Sequence, residues 1–329
     1  MHQEFFRRFR WPFAGVAVAA IAAMSSLGAL ADSEAIVPEP PAMKVQAVMP
    51  GAWYVQGLPE LGSSANQNFI SNAGFVITAD GVVVIDALGS PVLAQRLLDQ
   101  IRRITPLPVT HVIVTHYHAD HIYGLQIFKE AGARIIAHRA ALEYLNSDNA
   151  RIRLETSRQS MAPWVNEQTR LVAADEWLDG EKTLTVGGVR FQIIPLGPSH
   201  TPEDLVVYLP EKKLLFTGDL VFRNRIPFVG QADSGRWVKA LDTLLAFETM
   251  AMVPGHGPAS TQGRADLELT RDYLLYLRTS MGLAAKNMEP FEQAYQATDW
   301  SRYANMPMFQ ATHRMNAYNT YLLMEREPQ

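Results

Sequence analysis

A chain of 329 residues, 48% apolar and 19% charged, can bury a sizeable core and has the composition of a folded globular protein. It contains no cysteine, which excludes disulfides, thiolate metal sites and a cysteine nucleophile. A net charge of −4 gives no basic field for holding a phosphate backbone, so nucleic acid is not an expected partner.

The N-terminus reads as an export signal over residues 1–31. Arg7, Arg8 and Arg10 precede an uncharged stretch, residues 11–31, that ends in Ala29-Leu30-Ala31, a small-x-small cleavage site. An uncleaved membrane anchor is the competing reading of this stretch; its alanines and glycines, Pro12 and the cleavage site favour removal. Removal would take away three arginines and one glutamate, moving the net charge from −4 to −6. A positive signal, an acidic mature part and the lack of cysteine fit a Gram-negative periplasm, with no membrane association after cleavage. Residues 32–44, with three prolines, read as a linker.

From Val45 the pattern becomes that of a folded domain, expected over residues 45–262. Gly74–Thr78 and Val82–Ile85 are β-branched runs flanking Ala79-Asp80-Gly81, a hairpin signal. Helical spacing follows over Pro91–Ile104, then an apolar strand at His111–Thr115, a helix over Ala119–Ala131 and a strand at Ile135-Ile136. Beyond Gly180 the rhythm changes to closely spaced strands at Leu184–Val186, Val189–Leu196, Leu205–Leu209 and Lys213–Phe216. A helix over Gly235–Phe247 and a strand at Met252-Val253 come next. Residues 263–329 have a mostly helical pattern and read as a C-terminal extension packed on the domain. Two mixed halves of strands and covering helices predict a layered α/β domain.

The chemistry concentrates in His116-Tyr117-His118-Ala119-Asp120-His121, which follows an apolar strand and opens a helix. Three imidazoles and a carboxylate within six residues are the nitrogen and oxygen donors that zinc prefers. Strand alternation puts His116 and His118 on one side, while Asp120 and His121 enter the next turn. His200, Asp219 and His256 each follow another apolar strand. Any one alone reads more simply as a turn or loop residue. Together with the cluster they make five histidines and two aspartates, enough for two metals.

These residues resemble the metallo-β-lactamase-fold hydrolases, over about Ala52–Ala259. The H-x-H-x-D-H signature is matched by His116, His118, Asp120 and His121, the later histidines by His200 and His256, and the bridging aspartate by Asp219. The resemblance implies a four-layered αββα sandwich of two halves. It implies one zinc on His116, His118 and His200, a second on Asp120, His121 and His256, and Asp219 between them. It further implies a metal-bridging hydroxide as nucleophile, Asp120 guiding the water proton, and Asp86 orienting a ligand from behind.

For the subfamily, His200–Pro210 is similar to the stretch found in secreted β-lactamases that use a cysteine ligand, but Asp219 stands at the cysteine. Phe222 stands where those enzymes place a drug-binding lysine, leaving Arg223 or Arg225 to take its place. Thr217-Gly218-Asp219 resembles glyoxalase-II-type thioester hydrolases. The chain as a whole is similar to SoxH-like periplasmic metallohydrolases, including those associated with quinoprotein dehydrogenase systems. That likeness does not fix a substrate; with the ligand set and the thioester-hydrolase resemblance, the expectation is a two-zinc hydrolase acting on an ester, thioester or related acyl bond of a small molecule, with a β-lactamase as the alternative. From another class, a mononuclear iron persulfide dioxygenase uses a subset of the same signature. The tail segment His313–Leu322 reads either as packing or as a lid offering His313, Arg314 or Asn316 to the substrate.

Overall fold

The computed structural model of the chain describes residues 40–327, so the expected signal, residues 1–31, lies outside the described residues. Seven strands form a first sheet in chain order: β1 (Val45–Met49), β2 (Ala52–Val55), β3 (Ala73–Ile77), β4 (Val82–Ile85), β5 (Val109–Ile113), β6 (Arg134–His138) and β7 (Glu176–Leu178). The first four pair antiparallel; from β4 onward the pairing is parallel. Parallel pairing needs crossover segments. Here α1 (Pro91–Ile104) joins β4 to β5, and α2 (Ala119–Ile122) and α3 (Leu125–Glu130) join β5 to β6. The β6–β7 connection carries α4 (Ala141–Leu145) and α5 (Asp148–Ser160).

The second sheet has the order β12-β11-β10-β9-β8, built from β8 (Lys182–Val186), β9 (Val189–Pro195), β10 (Leu205–Leu209), β11 (Leu214–Phe222) and β12 (Ala251–His256). Only its β11–β12 pair is parallel, bridged by α6 (Ser234–Leu244). Helices α7 (Gly263–Lys286), α8 (Phe291–Ala297) and α9 (Phe309–Arg326) complete the chain.

Side-chain alternation sorts these strands into three cores. Val83 and Ile85 of β4, Ile113 and Ile136 meet Phe191, Ile193, Val207 and Phe216 between the sheets. Their neighbours Val82, Val84, Val112 and Ile135 point the other way, onto Leu93, Leu97 and Ile101 of α1. In the second sheet Val206, Leu215 and Val221 likewise face Trp237, Leu241, Leu267, Leu274 and Leu277. A strand buried on both faces must be apolar at every position, and β4 (Val82-Val83-Val84-Ile85) is. The result is the αββα order of layers expected from the sequence.

Local signals account for several boundaries. Pro91 opens α1, and Thr105, held extended by the following Pro106, ends it. Asp233 caps α6 by accepting from the Arg236 amide at 2.9 Å, a contact that contributes about 1 kcal/mol. One expectation needs correction. The helix expected over Ala119–Ala131 is broken at Gly124, where a Cβ would lie 2.0 Å from the Ala87 carbonyl oxygen, so the chain must pass there without a side chain. In the C-terminal segment, the apolar stripe of α7 forms the outer layer over β11 and α6, with α9 laid along it. Among the described residues no helix is long and apolar enough to cross a membrane.

Candidate metal centre

Four candidate donors come from one turn beyond β5. Asp86, just past β4, accepts from the Thr115 amide and the Thr115 hydroxyl, both at 2.8 Å, and so fixes the start of the turn. To do this Asp86 adopts a left-handed backbone, φ +62°, a strained conformation for a non-glycine residue and a common mark of functional sites. The His121 amide donates to the His118 carbonyl at 2.9 Å, curling the chain so that Asp120 and His121 turn back toward His116.

The other three donors arrive singly. His200 sits in the β9–β10 turn, braced by Asp204, which accepts from the Thr201 amide at 2.7 Å and hydroxyl at 2.8 Å. Asp219 was expected just after a strand, but β11 runs on through it to Phe222. The strand bulges at Gly218, whose φ of +50° and 2.6 Å clearance to the Thr115 hydroxyl exclude a side chain. On the neighbouring strand Gly255 leaves the space that Asp219 fills: a Cβ there would lie 2.0 Å from Oδ1. His256 closes β12.

All seven donors converge, as two groups: His116, His118, His200 and Asp219, and Asp120, His121 and His256. Within each group the donor atoms lie inside 4.8 Å of one another. His200 Nε2 is 3.1 Å from His118 Nδ1, and His256 Nε2 is 3.2 Å from Asp219 Oδ2 and 3.4 Å from Asp120 Oδ2. His121 Nε2 is 3.2 Å from Asp219 Oδ1, so Asp219 reaches both groups. Ligands arranged tetrahedrally about 2.1 Å from a zinc sit about 3.4 Å apart.

Hydrogen bonding aims the rings. His121 Nδ1 donates to Asp86 Oδ2 at 2.9 Å and His256 Nδ1 to the Ile70 carbonyl at 2.7 Å, leaving each Nε2 lone pair facing the cluster. His116 Nε2, His121 Nε2 and Asp219 Oδ1 are buried with no hydrogen-bond partner among the described residues. Buried polar atoms left unpaired cost free energy, and several converging on one point fit a cation. Burial, then the neighbouring His121, holds His116 well below the ordinary imidazole range. Burial also pushes His200 down to about 3, so both rings stay neutral and able to donate a lone pair. Burial works against charge on His121 as well, but Asp219, Asp120 and Asp86 outweigh it and raise that ring. Desolvation of Asp219 is outweighed by His256, His121 and His116, so it is held well below the carboxylate range.

The surroundings are aromatic. Phe222 stacks on His256 with centroids 4.9 Å apart, Trp237 lies 5.2 Å from His200, and Phe228 lies 6.4 Å from both His118 and His200. His118 and Asp120 retain some exposure, whereas the other five donors are buried.

The three arginines expected to face a substrate separate. Arg225 is buried, its Nη1 3.3 Å from His256 Nδ1 and its guanidinium over Phe222, and no carboxylate among the described residues lies within 4.0 Å of it. Arg223 is directed elsewhere, to Asp266 at 3.0 Å and the Ala259 carbonyl at 3.3 Å. Arg314 pairs with Glu292 at 2.6 Å and lies over Phe291 and Tyr295, none of which touches a candidate ligand. His313 is fully buried between Tyr273, Trp300 and Phe309, so no lid offers it to the cleft.

The sequence reading missed the β2–β3 loop. Ser71 donates to the Asp120 carbonyl, and the Asn72 amide group donates to the carbonyls of Pro254 and Gly257, both at 2.7 Å, while accepting from the Gly57 amide. Its signal was the amide-rich run Asn66-Gln67-Asn68, two of whose residues adopt left-handed φ values of 58° and 61°. Glu203, accepting from the Tyr117 amide at 3.0 Å, is a further brace with no distinguishing local pattern.

Comparison with known proteins agrees with this geometry. A linear primary-alkylsulfatase from Pseudomonas sp. (strain ATCC 19151) is 26% identical over 234 residues, 60% of this chain; the chain spans 44% of the length of that relative. The metallo-beta-lactamase IND-1 of Chryseobacterium indologenes is 26% identical over 200 residues, 59% of this chain and 75% of that protein. Among solved structures, the inverting sec-alkylsulfatase Pisa1 from Pseudomonas sp. shares the fold with a TM-score of 0.67 at 20% identity, over 85% of this chain and 50% of that one. Residues 67–256, more than half of the chain, match the family profile described as the Metallo-beta-lactamase superfamily, and they span every candidate ligand from His116 to His256. The chain belongs to the metallo-beta-lactamase superfamily.

Proposed function

We propose that the protein is a two-zinc hydrolase of the SoxH-like group, exported to the periplasm, that cleaves an ester, thioester or related acyl bond of a small molecule. The observation that carries this reading is the convergence of seven donors, none replaced, with unpaired lone pairs at the centre. His116, His118 and His200 would hold one ion and Asp120, His121 and His256 the other, with Asp219 reaching both. Such a pair makes water nucleophilic at neutral pH and polarises the scissile bond.

The chain's own residues do the rest. Asp120, the carboxylate of the cluster that keeps some exposure, would receive the water proton on the oxygen that does not hold an ion. Asp86 keeps His121 Nε2 turned inward. Phe222 and Trp237 keep the region around His200 and His256 apolar, which strengthens electrostatic interactions there. Arg225 places a guanidinium with no carboxylate among the described residues within 4.0 Å beside His256, a site for an anionic group on the substrate. Association with a quinoprotein system is part of the same proposal.

Phe222 at the position of the drug-binding lysine weighs against β-lactams. A second reading, a sulfate ester as substrate, is favoured by the alkylsulfatase relative together with the buried Arg225. The test is metal analysis of purified mature protein followed by a screen of nitrophenyl esters, a thioester, a nitrophenyl sulfate and β-lactams. Close to two zinc equivalents are expected, with acyl esters or thioesters turned over best. Arg225→Ala should reduce turnover of anionic substrates about 10- to 150-fold and leave neutral ones nearly unchanged. One tightly bound iron with oxidative activity alone, or a β-lactam rate constant near ~10⁶ M⁻¹s⁻¹, would overturn the reading.

A further inference from the structure

We propose that Asn316 of the C-terminal helix is a positioning residue for the cleft: it fixes the loop Ile226–Gly230 and thereby sets Phe228 against His118 and His200, making that ring the wall that meets the apolar part of the substrate. The substrate part of this inference rests on the hydrolase reading above.

Asn316 is fully buried on α9 and uses both ends of its amide on this loop. Its oxygen accepts from the Val229 amide at 2.9 Å, and its nitrogen donates to the Pro227 carbonyl at 2.7 Å. These two bonds bracket Phe228. The neighbouring Asn319 donates to the Gly230 carbonyl at 2.6 Å, and the Ile226 amide donates to the Pro307 carbonyl at 2.9 Å. Four polar contacts thus tie four of the loop's five residues, all but Phe228, to the segment 307–319, beyond the stretch that matches the family profile.

The anchor is itself held. Asn316 also donates to the Tyr273 hydroxyl at 3.0 Å, which is 2.9 Å from His313 Nδ1, so α7 and α9 brace the amide from behind. Between loop and helices lies a cavity of about 10 Å³ lined by Arg225, Pro227, Tyr273 and Tyr303, room for about one water. Contact on this side of the loop is therefore incomplete, and hydrogen bonds hold it where packing leaves a gap. On its other side Phe228 is half-buried next to His118, the candidate ligand histidine that keeps some exposure. A ring in that place meets whatever approaches the cluster.

The test uses the full mature chain loaded with zinc, with Asn316→Ala, Phe228→Ala and the double variant. The first readout is hydrogen exchange at the Val229 amide, which donates to Asn316. Exchange should rise about 10-fold or more in Asn316→Ala, with zinc content unchanged. The second is hydrolysis of p-nitrophenyl esters from acetate to octanoate. KM should rise about 5- to 20-fold for octanoate relative to acetate in either single variant, with kcat within about twofold, and the double variant should be no worse than the poorer single. Unchanged exchange, an equal KM rise at every chain length, or additive losses in the double variant would overturn the proposal. If Asn316→Ala does not fold, Asn319→Ala removes one tether and should give the same pattern at smaller amplitude; a uniform fall in kcat instead would count against it. If wild-type protein hydrolyses no ester, the hydrolase reading fails, and exchange alone decides whether Asn316 fixes the loop.

Discussion

The two halves of the molecule supply the candidate metal centre in opposite ways. The first sheet delivers four of the seven donors from a single six-residue turn, His116–His121, whose start is fixed by Asp86, with one further hydrogen bond each to Ser71 and Glu203. The second delivers three from three separate places, the β9–β10 turn, the bulge inside β11 and the end of β12, each needing its own support: Asp204 behind His200, two glycines around Asp219, and the Ile70 carbonyl behind His256. A turn is specified by local chemistry. A set of donors spread over a turn, a bulge and a strand end is specified only when sheet register, bulges and the contacts of both sheets agree.

Changes in each half should separate these modes. The largest effect is expected from His116→Ala, which removes the first donor of the local turn: zinc should fall below two per chain by elemental analysis and turnover should vanish, with some loss of stability because metal binding couples to folding. Next is Gly218→Ala in the distributed half. The methyl group must take a left-handed φ and meet Thr115, costing about 2 to 4 kcal/mol by denaturant unfolding and displacing Asp219. Loss of stability with zinc content unchanged would show that the bulge is not what holds Asp219. Asp86→Asn should be milder, a 10- to 100-fold drop in metal affinity by competition with a chelator, since the ring of His121 loses its anionic partner but keeps its place.

The smallest effect concerns the helical layer. Burial pushes His313 down to about 4 from an ordinary 6.5. The unfolded chain therefore binds this proton more readily, and the stability that the neutral ring contributes is present above about pH 6.5 and lost as pH falls toward 4. His313→Gln, which does not titrate, should make the acid limb of the stability profile shallower across that window, as measured by urea unfolding at a series of pH values.

How much of this was legible in the sequence follows the same division. The turn was readable because its donors are adjacent, and α1 because proline opens it and Thr105-Pro106 closes it. Asp219 was read as following a strand because Gly218 has the appearance of a turn residue; that β11 continues through a bulge depends on pairing with β12, 34 or more positions away. Helix α5, with the polar run Asp148-Asn149-Ala150-Arg151-Ile152-Arg153, lacks the apolar stripe that reveals a helix in sequence. The fates of Arg223 and Arg314 were set by Asp266 and Glu292, partners that no local pattern announces.

The amide of Asn72 joins residues far apart in the chain: it binds the carbonyls of Pro254 and Gly257, across separations of 182 and 185 residues. In kinetic terms such a link forms late, because the long loop it closes must first be drawn together by other contacts. The local turn can gather four donors well before His256 is held in place. Zinc offered to a refolding chain should therefore meet an incomplete site first, and acquisition of the full complement should track the slow closure of β12 rather than the formation of the turn.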